Sequence, residues 1–228
     1  MPSKIQNQNL TYQQIEDKIF DNHSFANSDL SYAKFVKCKF FNCDFSRAEM
    51  VETSFEQCNF IEQGELEGCD FHYANLQEAS FKNCQLSMSQ FVGCNCFGIE
   101  YRQCDLKGVN FSQARFANQI SHNVYFCSAY ITGCNLSYAN MERLCIEKCE
   151  LFENRWIGTN LQGTSLQGSD LSNGEFSADI WGDFRIRDCD LSDCDLAGLN
   201  PARVDMHGVK IASWQQAQLL EQLGIIVM

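Results

Sequence analysis

Fourteen cysteines, four histidines and 29 acidic residues are spread over 228 positions, and these are the side chains that could hold a metal, attack an electrophile or move a proton. Zinc takes thiolates and imidazoles at short paired spacings, and Cys94 with Cys96 superficially has that look. His23, His72, His122 and His207 are far apart in sequence, however, and none stands in an HExxH or Cys–His arrangement. There is no phosphate-cradling glycine loop and no dinucleotide fingerprint. The carboxylates are numerous, but they recur at positions where solvation explains them. The chain is expected to be no enzyme and to hold no metal or other cofactor.

What positions these residues is a period of five. Bulky apolar side chains recur at Phe20, Phe25, Leu30, Phe35, Phe40, Phe45, Met50, Phe55 and Phe60. After a one-residue slip the series resumes at Leu66, Phe71, Leu76, Phe81, Leu86 and Phe91, and it runs on through Phe116, Phe126, Ile131 and Leu136 to Leu196. Neither a helix nor an alternating strand has this period. Two residues before each centre stands a small side chain, as at Ala33, Cys38, Cys43, Ala48 and Thr53, and an Asp or Asn very often lies between. All the cysteines except Cys96, Cys127 and Cys145 occupy the small position, where free Cys acts as a small buried hydrophobe. The alternation of small and centre positions also explains Cys94 and Cys96.

If each unit turns the chain through a right angle, four units close a square coil of about 20 residues, and coils stack at the strand spacing of ~4.8 Å. Centre and small residue point inward, where a Leu in place of the small residue would clash. Each buried Leu or Phe contributes roughly 1.5–3 kcal/mol, so the inside of such a tube is an ample core.

The pattern fails in two internal places, read as loops thrown out from the wall. The first comprises Ile61, Glu62, Gln63, Gly64, Glu65, Leu66, Glu67 and Gly68. The second comprises Ala117, Asn118, Gln119, Ile120, Ser121, His122, Asn123, Val124, Tyr125, Phe126, Cys127 and Ser128. Insertions in a solenoid lie on its surface and are often functional, so both are candidate partner-binding sites. Three segments follow: a loose polar arm over 1–17, the coil over 18–212, and a terminal segment over 213–228. Ser213 is placed to cap a short helix over 214–223, which Gly224 stops. Trp214, Leu219, Leu220, Leu223, Ile225, Ile226 and Val227 would cover the last coil or join two copies in an isologous dimer, the reading favoured here.

No apolar run reaches the ~18 residues of a membrane span, and the first residues, MPSKIQNQNLTYQQ, do not form a signal peptide. A soluble cytoplasmic protein with reduced thiols is expected. The net charge of −12 argues against direct nucleic-acid binding. It suits a basic protein partner, although many proteins are acidic for solubility alone.

The five-residue unit is that of pentapeptide-repeat proteins. Beyond it, FCSAYITGCNLSYANMERLCIEKCELFENRWIGTNL (126–161) and GVKIASWQQAQLLEQLG (208–224) resemble the quinolone-resistance (Qnr) family, and the similarity covers most of the chain from about Phe35 onward. That resemblance implies a right-handed quadrilateral β-helix dimerised through its C-terminal ends. It also implies binding to DNA gyrase and topoisomerase IV with relief of quinolone inhibition, the two loops mattering for protection and the larger one most. Two mechanisms stay open. An acidic rod of about nine coils at ~4.8 Å is on the order of 43 Å long, and DNA of that length carries ~25 charges; a charge of −12 is about half of that, so mimicry of DNA is incomplete. Alternatively the loops dock at the enzyme–DNA–drug complex while acidity steers approach. The competing function is a scaffolding solenoid with another basic partner, for which the loops would be dispensable.

Overall fold

The computed structural model describes residues 9–121 and 124–226. Its strands are short: β1 (Gln14–Glu16), β2 (Ile19–Asp21), β3 (Lys34–Val36), β4 (Lys39–Phe41), β5 (Ser54–Glu56), β6 (Ser80–Lys82), β7 (Ile99–Arg102), β8 (Ala117–Ser121), β9 (Val124–Cys127), β10 (Ala129–Thr132), β11 (Arg155–Trp156) and β12 (Glu175–Phe176). One wall is a parallel sheet in the order β1-β3-β5-β6-β7-β10; β2 pairs with β4 and β11 with β12, also in parallel. Isolated parallel bridges complete the walls, Asp29 to Glu49 and Asp44 to Asp70 among them. The architecture is a quadrilateral β-helix.

Corner chemistry explains the repeat. The residue two after most centres has positive φ, as at Asn27 (58°), Tyr32 (62°) and Glu52 (53°), and at many corners the centre carbonyl accepts from the N–H three residues on, as from Ser28 to Phe25. This is a turn with a left-handed third residue. The preceding Asp or Asn steadies it by accepting from the N–H two residues on: Ser46 donates to Asp44 Oδ1 (2.8 Å) and Ser31 to Asp29 Oδ1 (3.0 Å). At the small position a thiol or hydroxyl donates to the carbonyl of a centre in the coil before, as from Cys38 to Ile15 and from Thr53 Oγ1 to Leu30 (2.8 Å). Cys and Thr recur there because they are small and can donate. Larger residues do fit, against expectation, since Ile99, Val109 and Leu144 are buried at that position.

Inside, the centres stack in columns. The rings of Phe25 and Phe45 are 4.8 Å apart and those of Phe45 and Phe71 also 4.8 Å, each pair near parallel, with edge-on contacts between columns. Tyr101 stands in such a column, stacked on Phe81 at 5.1 Å, fully buried with an unpartnered hydroxyl. A buried hydroxyl without a partner costs about 1–3 kcal/mol. Tyr101→Phe should therefore raise stability by about 1 kcal/mol, read as a higher urea midpoint; an unchanged or lower midpoint would count against this account.

The pairing separation measures the insertions. Ser24 and Asp44 are neighbours at a separation of 20 residues, Glu49 and Asn75 at 26, and Asp105 and Asn135 at 30. The first interruption therefore inserts six residues and the second ten, which corrects two positions of the expected series. Leu66 is 79% exposed in the first protrusion, and Phe126 is 45% exposed in the second. Neither is a core centre. At the other end the expected loose arm is shorter than residues 1–17: Asn9 pairs with Asp29, Tyr12 stacks on Tyr32 at 4.6 Å, and β1 begins the long wall. Leu10 and Ile15, half-buried, extend the inward series to this edge. Residues 1–8 lie outside the described residues.

The C-terminal helix differs from expectation in its start and length. A 3-10 turn, Ser213–Gln215, leads into α1 (Gln216–Glu221), and Ala212, not Ser213, holds the cap position. Gln215 does the capping from within. Its buried amide donates to the carbonyls of Leu191 (2.9 Å) and Cys194 (2.8 Å) and accepts from Ala212 and Asp193. Gln218 accepts from Leu196 N–H at 3.2 Å. Backbone groups of the last coil that no further coil would pair are thus satisfied by two amides. Among the described residues no helix is long and apolar enough to cross a membrane, and no cluster of three or more His, Cys, Asp or Glu could hold a metal.

Candidate functional site

The two insertions leave the tube at different corners. Gln85, Asp105 and Asn135 share a wall with Asn59; Gln90, Asn110 and Asn140 share the next wall with Asp70; Asn75 and Asn95 share the third with Arg115; and the long sheet, to which Ala129–Thr132 belongs, is the fourth. The first protrusion spans the corner between walls one and two, and the second the corner between walls three and four. They stand at diagonally opposite corners.

The first protrusion, 61–68, is a turn-rich loop. Asn59 Oδ1 accepts from Ile61 N–H at 3.1 Å, Glu65 N–H donates to Glu62, and Gly64 has φ of 93°. Glu62, Glu65 and Glu67 are exposed and bring three carboxylates to one short segment. Gly68 returns the chain to the coil in close contact with its neighbour: a Cβ there would lie 2.6 Å from the Ser87 carbonyl oxygen and 2.6 Å from Ser89 Oγ. Gly68→Ala should cost about 1–3 kcal/mol through that overpacking, visible as a lower melting temperature; an unchanged value would mean the root of the loop is loose.

The second protrusion is a β-hairpin, more ordered than the expected loop. β8 and β9 pair antiparallel, with Ala117 opposite Cys127, Asn118 opposite Phe126 and Gln119 opposite Tyr125, and with an irregularity between Gln119 and Ser121. It forms because Ile120, Val124, Tyr125 and Phe126 favour strands, while the repeat pattern that would direct the chain into the coil is missing. His122 and Asn123 lie outside the described residues. Ile120 (66%) and Val124 (51%) present apolar side chains to solvent. The root is held to the wall: Phe126 meets Phe97 edge-on at 5.0 Å, Tyr125 OH donates to Glu147 Oε2 at 3.0 Å, and the Cys127 and Cys145 sulfurs are 3.8 Å apart.

Beside this root the wall opens. Among the described residues no backbone hydrogen bond joins 113–116 to 142–145, although adjacent coils pair on either side of this stretch. A cleft of about 600 Å³ occupies the gap, lined by Gln77, Asn95, Phe97, Arg115, Gln119, Arg143 and Cys145 among others. Phe97 and Glu147 were not singled out from the sequence, and Cys145 was noted there only as lying off the small position. Cys145 carried a signal, since it stands where the repeat prefers Asp or Asn.

The acidity is uneven. On the long wall Glu100 lies between Lys82 (3.1 Å) and Arg102, and Glu56 faces Lys34 at 3.8 Å. Burial alone would raise the Glu100 carboxyl, but hydrogen bonds from Arg102 and Lys82 outweigh it and hold the group below its ordinary value. Bases thus interleave with acids on this wall, while the first protrusion is purely acidic.

The expected dimerisation residues divide into two sets. Leu219 packs on the core and Leu220 is half-buried, so these two cover the last coil. Trp214, whose indole N–H donates to Asp193 Oδ1 at 2.9 Å, is 56% exposed, and Leu223 (48%), Ile225 (48%) and Ile226 (85%) are exposed as well. Val227 lies outside the described residues.

Comparison with known proteins adds the following. The family described as pentapeptide repeat region matches residues 33–111, and pentapeptide repeats (8 copies) match residues 104–151. The pentapeptide repeat protein VPA0095 of Vibrio parahaemolyticus is 52% identical over 73% of this chain and 77% of its own length. The quinolone resistance pentapeptide repeat protein QnrB96 of Scandinavium goeteborgense is 42% identical over 69% of this chain and 64% of its own. The structure of full-length QnrB1, a plasmid-mediated fluoroquinolone resistance protein, superposes with a TM-score of 0.82 at 41% identity, over 96% of this chain and all of that one.

Proposed function

This chain belongs to the Qnr family of pentapeptide-repeat proteins, and on that premise we propose that it binds the type II topoisomerases DNA gyrase and topoisomerase IV and protects them from quinolones. The observation that carries the reading is the likeness to QnrB1 along the whole of that resistance protein, at 41% identity. The hairpin 117–128 and the loop 61–68 are the contact elements, each offering exposed side chains that the plain repeat does not have. With the two on opposite corners, a partner that uses both must wrap around the rod or close on it from two sides.

Acidity steers the rod towards a basic DNA-binding surface. The bases interleaved on the long wall favour docking through the protrusions over imitation of DNA along the full length. Two copies join through Trp214, Leu223, Ile225, Ile226 and Val227, giving a rod of double length. The protein works in the cytoplasm, docking on the topoisomerase at the enzyme–DNA–drug complex without contacts of its own to nucleic acid. A supercoiling assay with purified gyrase and a quinolone, titrated with this protein, tests the reading: supercoiling should return as the protein is added. Continued inhibition at every ratio would favour the scaffolding alternative.

A further inference from the structure

We propose that Cys127 and Cys145 are a modification site: a dithiol that reacts with small disulfides of the glutathione class and closes into an intramolecular bond stapling the hairpin to the coil wall. The inference stands apart from the topoisomerase reading, because it rests on the placement and surroundings of two thiols and on no partner.

Twelve of the fourteen cysteines are buried, and Cys127 and Cys145 are the two that are only partly so. The buried thiols donate to carbonyls inside the tube, as Cys58 does to Phe35 and Cys94 to Phe71. Burial pushes Cys84 up to about 12 and Cys194 up to about 12, which leaves them as unreactive thiols. Cys127 and Cys145 stand apart in position as well, since neither occupies the inward small position of the repeat. Cys127 ends β9 and Cys145 belongs to the neighbouring coil, so the pair bridges a protrusion and a wall.

Their sulfurs are 3.8 Å apart, and a disulfide needs about 2.05 Å. The remaining approach is taken up by the hairpin, which is exposed over most of its length. Cys145 also lines the cleft beside the hairpin root, which admits a small reagent. Because it, and not Cys127, faces the cleft, it is the attacking thiol; a hydrogen bond from Cys127 lowers it against burial, with Tyr125 and Arg185 helping and Glu147 opposing.

The chemistry balances as two exchanges. The Cys145 thiolate attacks one sulfur of the reagent, the reagent's S–S bond breaks, and one small thiol leaves. Cys127 loses its proton to solvent and attacks Sγ of Cys145, releasing the second small thiol. Two protein thiols are oxidised and one small disulfide is reduced to two thiols.

The test treats the full-length, fully reduced protein with oxidised glutathione, blocks free thiols, and maps the digest by mass spectrometry. The expected result is loss of two blockable thiols per chain and one cross-linked peptide pair joining Cys127 to Cys145. In the oxidised protein, amide exchange across 117–127 should slow at least tenfold. Cys127→Ala should instead accumulate a glutathione adduct on Cys145, which the unsubstituted protein resolves. Absence of the cross-link while adducts form elsewhere would overturn the proposal, as would an adduct confined to Cys127 or hairpin exchange unaffected by oxidation. The cross-link and exchange arms use the unsubstituted chain, so a variant that fails to fold leaves them decisive.

Discussion

Excising residues 117–126, with Ser128→Gly to supply the left-handed corner residue, should abolish quinolone protection while the melting temperature moves by only a few degrees. Ten residues is the length by which the pairing separation of the coils exceeds the regular value at this corner. Their removal brings Phe116 to Cys127 and Ser128 at regular repeat spacing. What is lost is a mostly exposed hairpin whose side-chain contacts with the wall lie near its root, at Phe126 against Phe97 and Tyr125 against Glu147. Closing the gap between 113–116 and 142–145 gains backbone pairing in exchange. A change of 1 kcal/mol shifts the midpoint by about 2–4 °C in a domain of this size, so a variant that melts far below that range is not a test of function. Supercoiling assays with gyrase and a quinolone read the outcome. A well-folded variant that still protects would remove the hairpin from the proposed contact, and protection by a second variant lacking the six inserted residues of the first loop would do the same for 61–68.

The largest effect on stability is expected from Leu136→Asp. Leu136 is fully buried, and its backbone pairs forward with Arg155. A carboxylate there has no hydrogen-bond donor within the apolar column, so it must remain desolvated or take up a proton. Substitutions of this kind reach about 5 kcal/mol, comparable to the whole stability of many domains. In a solenoid the damage extends to the neighbouring coils, which rely on each other for backbone pairing. Thermal melts followed by far-ultraviolet circular dichroism should show a large loss. Gln162→Asp, on the exposed side of a nearby coil, should stay within about 0.5 kcal/mol. Equal melting of the two variants would contradict the inward register.

Much of the architecture was legible because the repeat is written in side-chain size. Phe35, Phe40, Phe45 and Phe55 were assigned inward by period and all are buried; Cys38, Cys58 and Cys84 were assigned to the small position and are buried too. The roles of Gln215 and Gln218 were not legible. A Gln in a short helix carries no mark that its amide will satisfy the last coil, because the need arises only where the stack ends. The proximity of Cys127 to Cys145, eighteen residues apart in sequence, depends on where the hairpin folds back.

By itself the sequence determined the five-residue unit, its inward and outward faces, the turn at every corner and the two places where the pattern breaks. Each of these depends on at most a few adjacent residues. The tertiary structure alone decided how long the insertions are and which residues they hold. A ten-residue insertion leaves a period of five unchanged, so Phe126 keeps its numerical register while standing half in solvent; a six-residue insertion looks like a slip of one, so Leu66 imitates a centre from the tip of a loop. Side-chain pattern specifies facing only modulo the repeat. Which unit stacks on which is settled by hydrogen bonds between backbones 20, 26 or 30 residues apart, and those form only once the coil has closed.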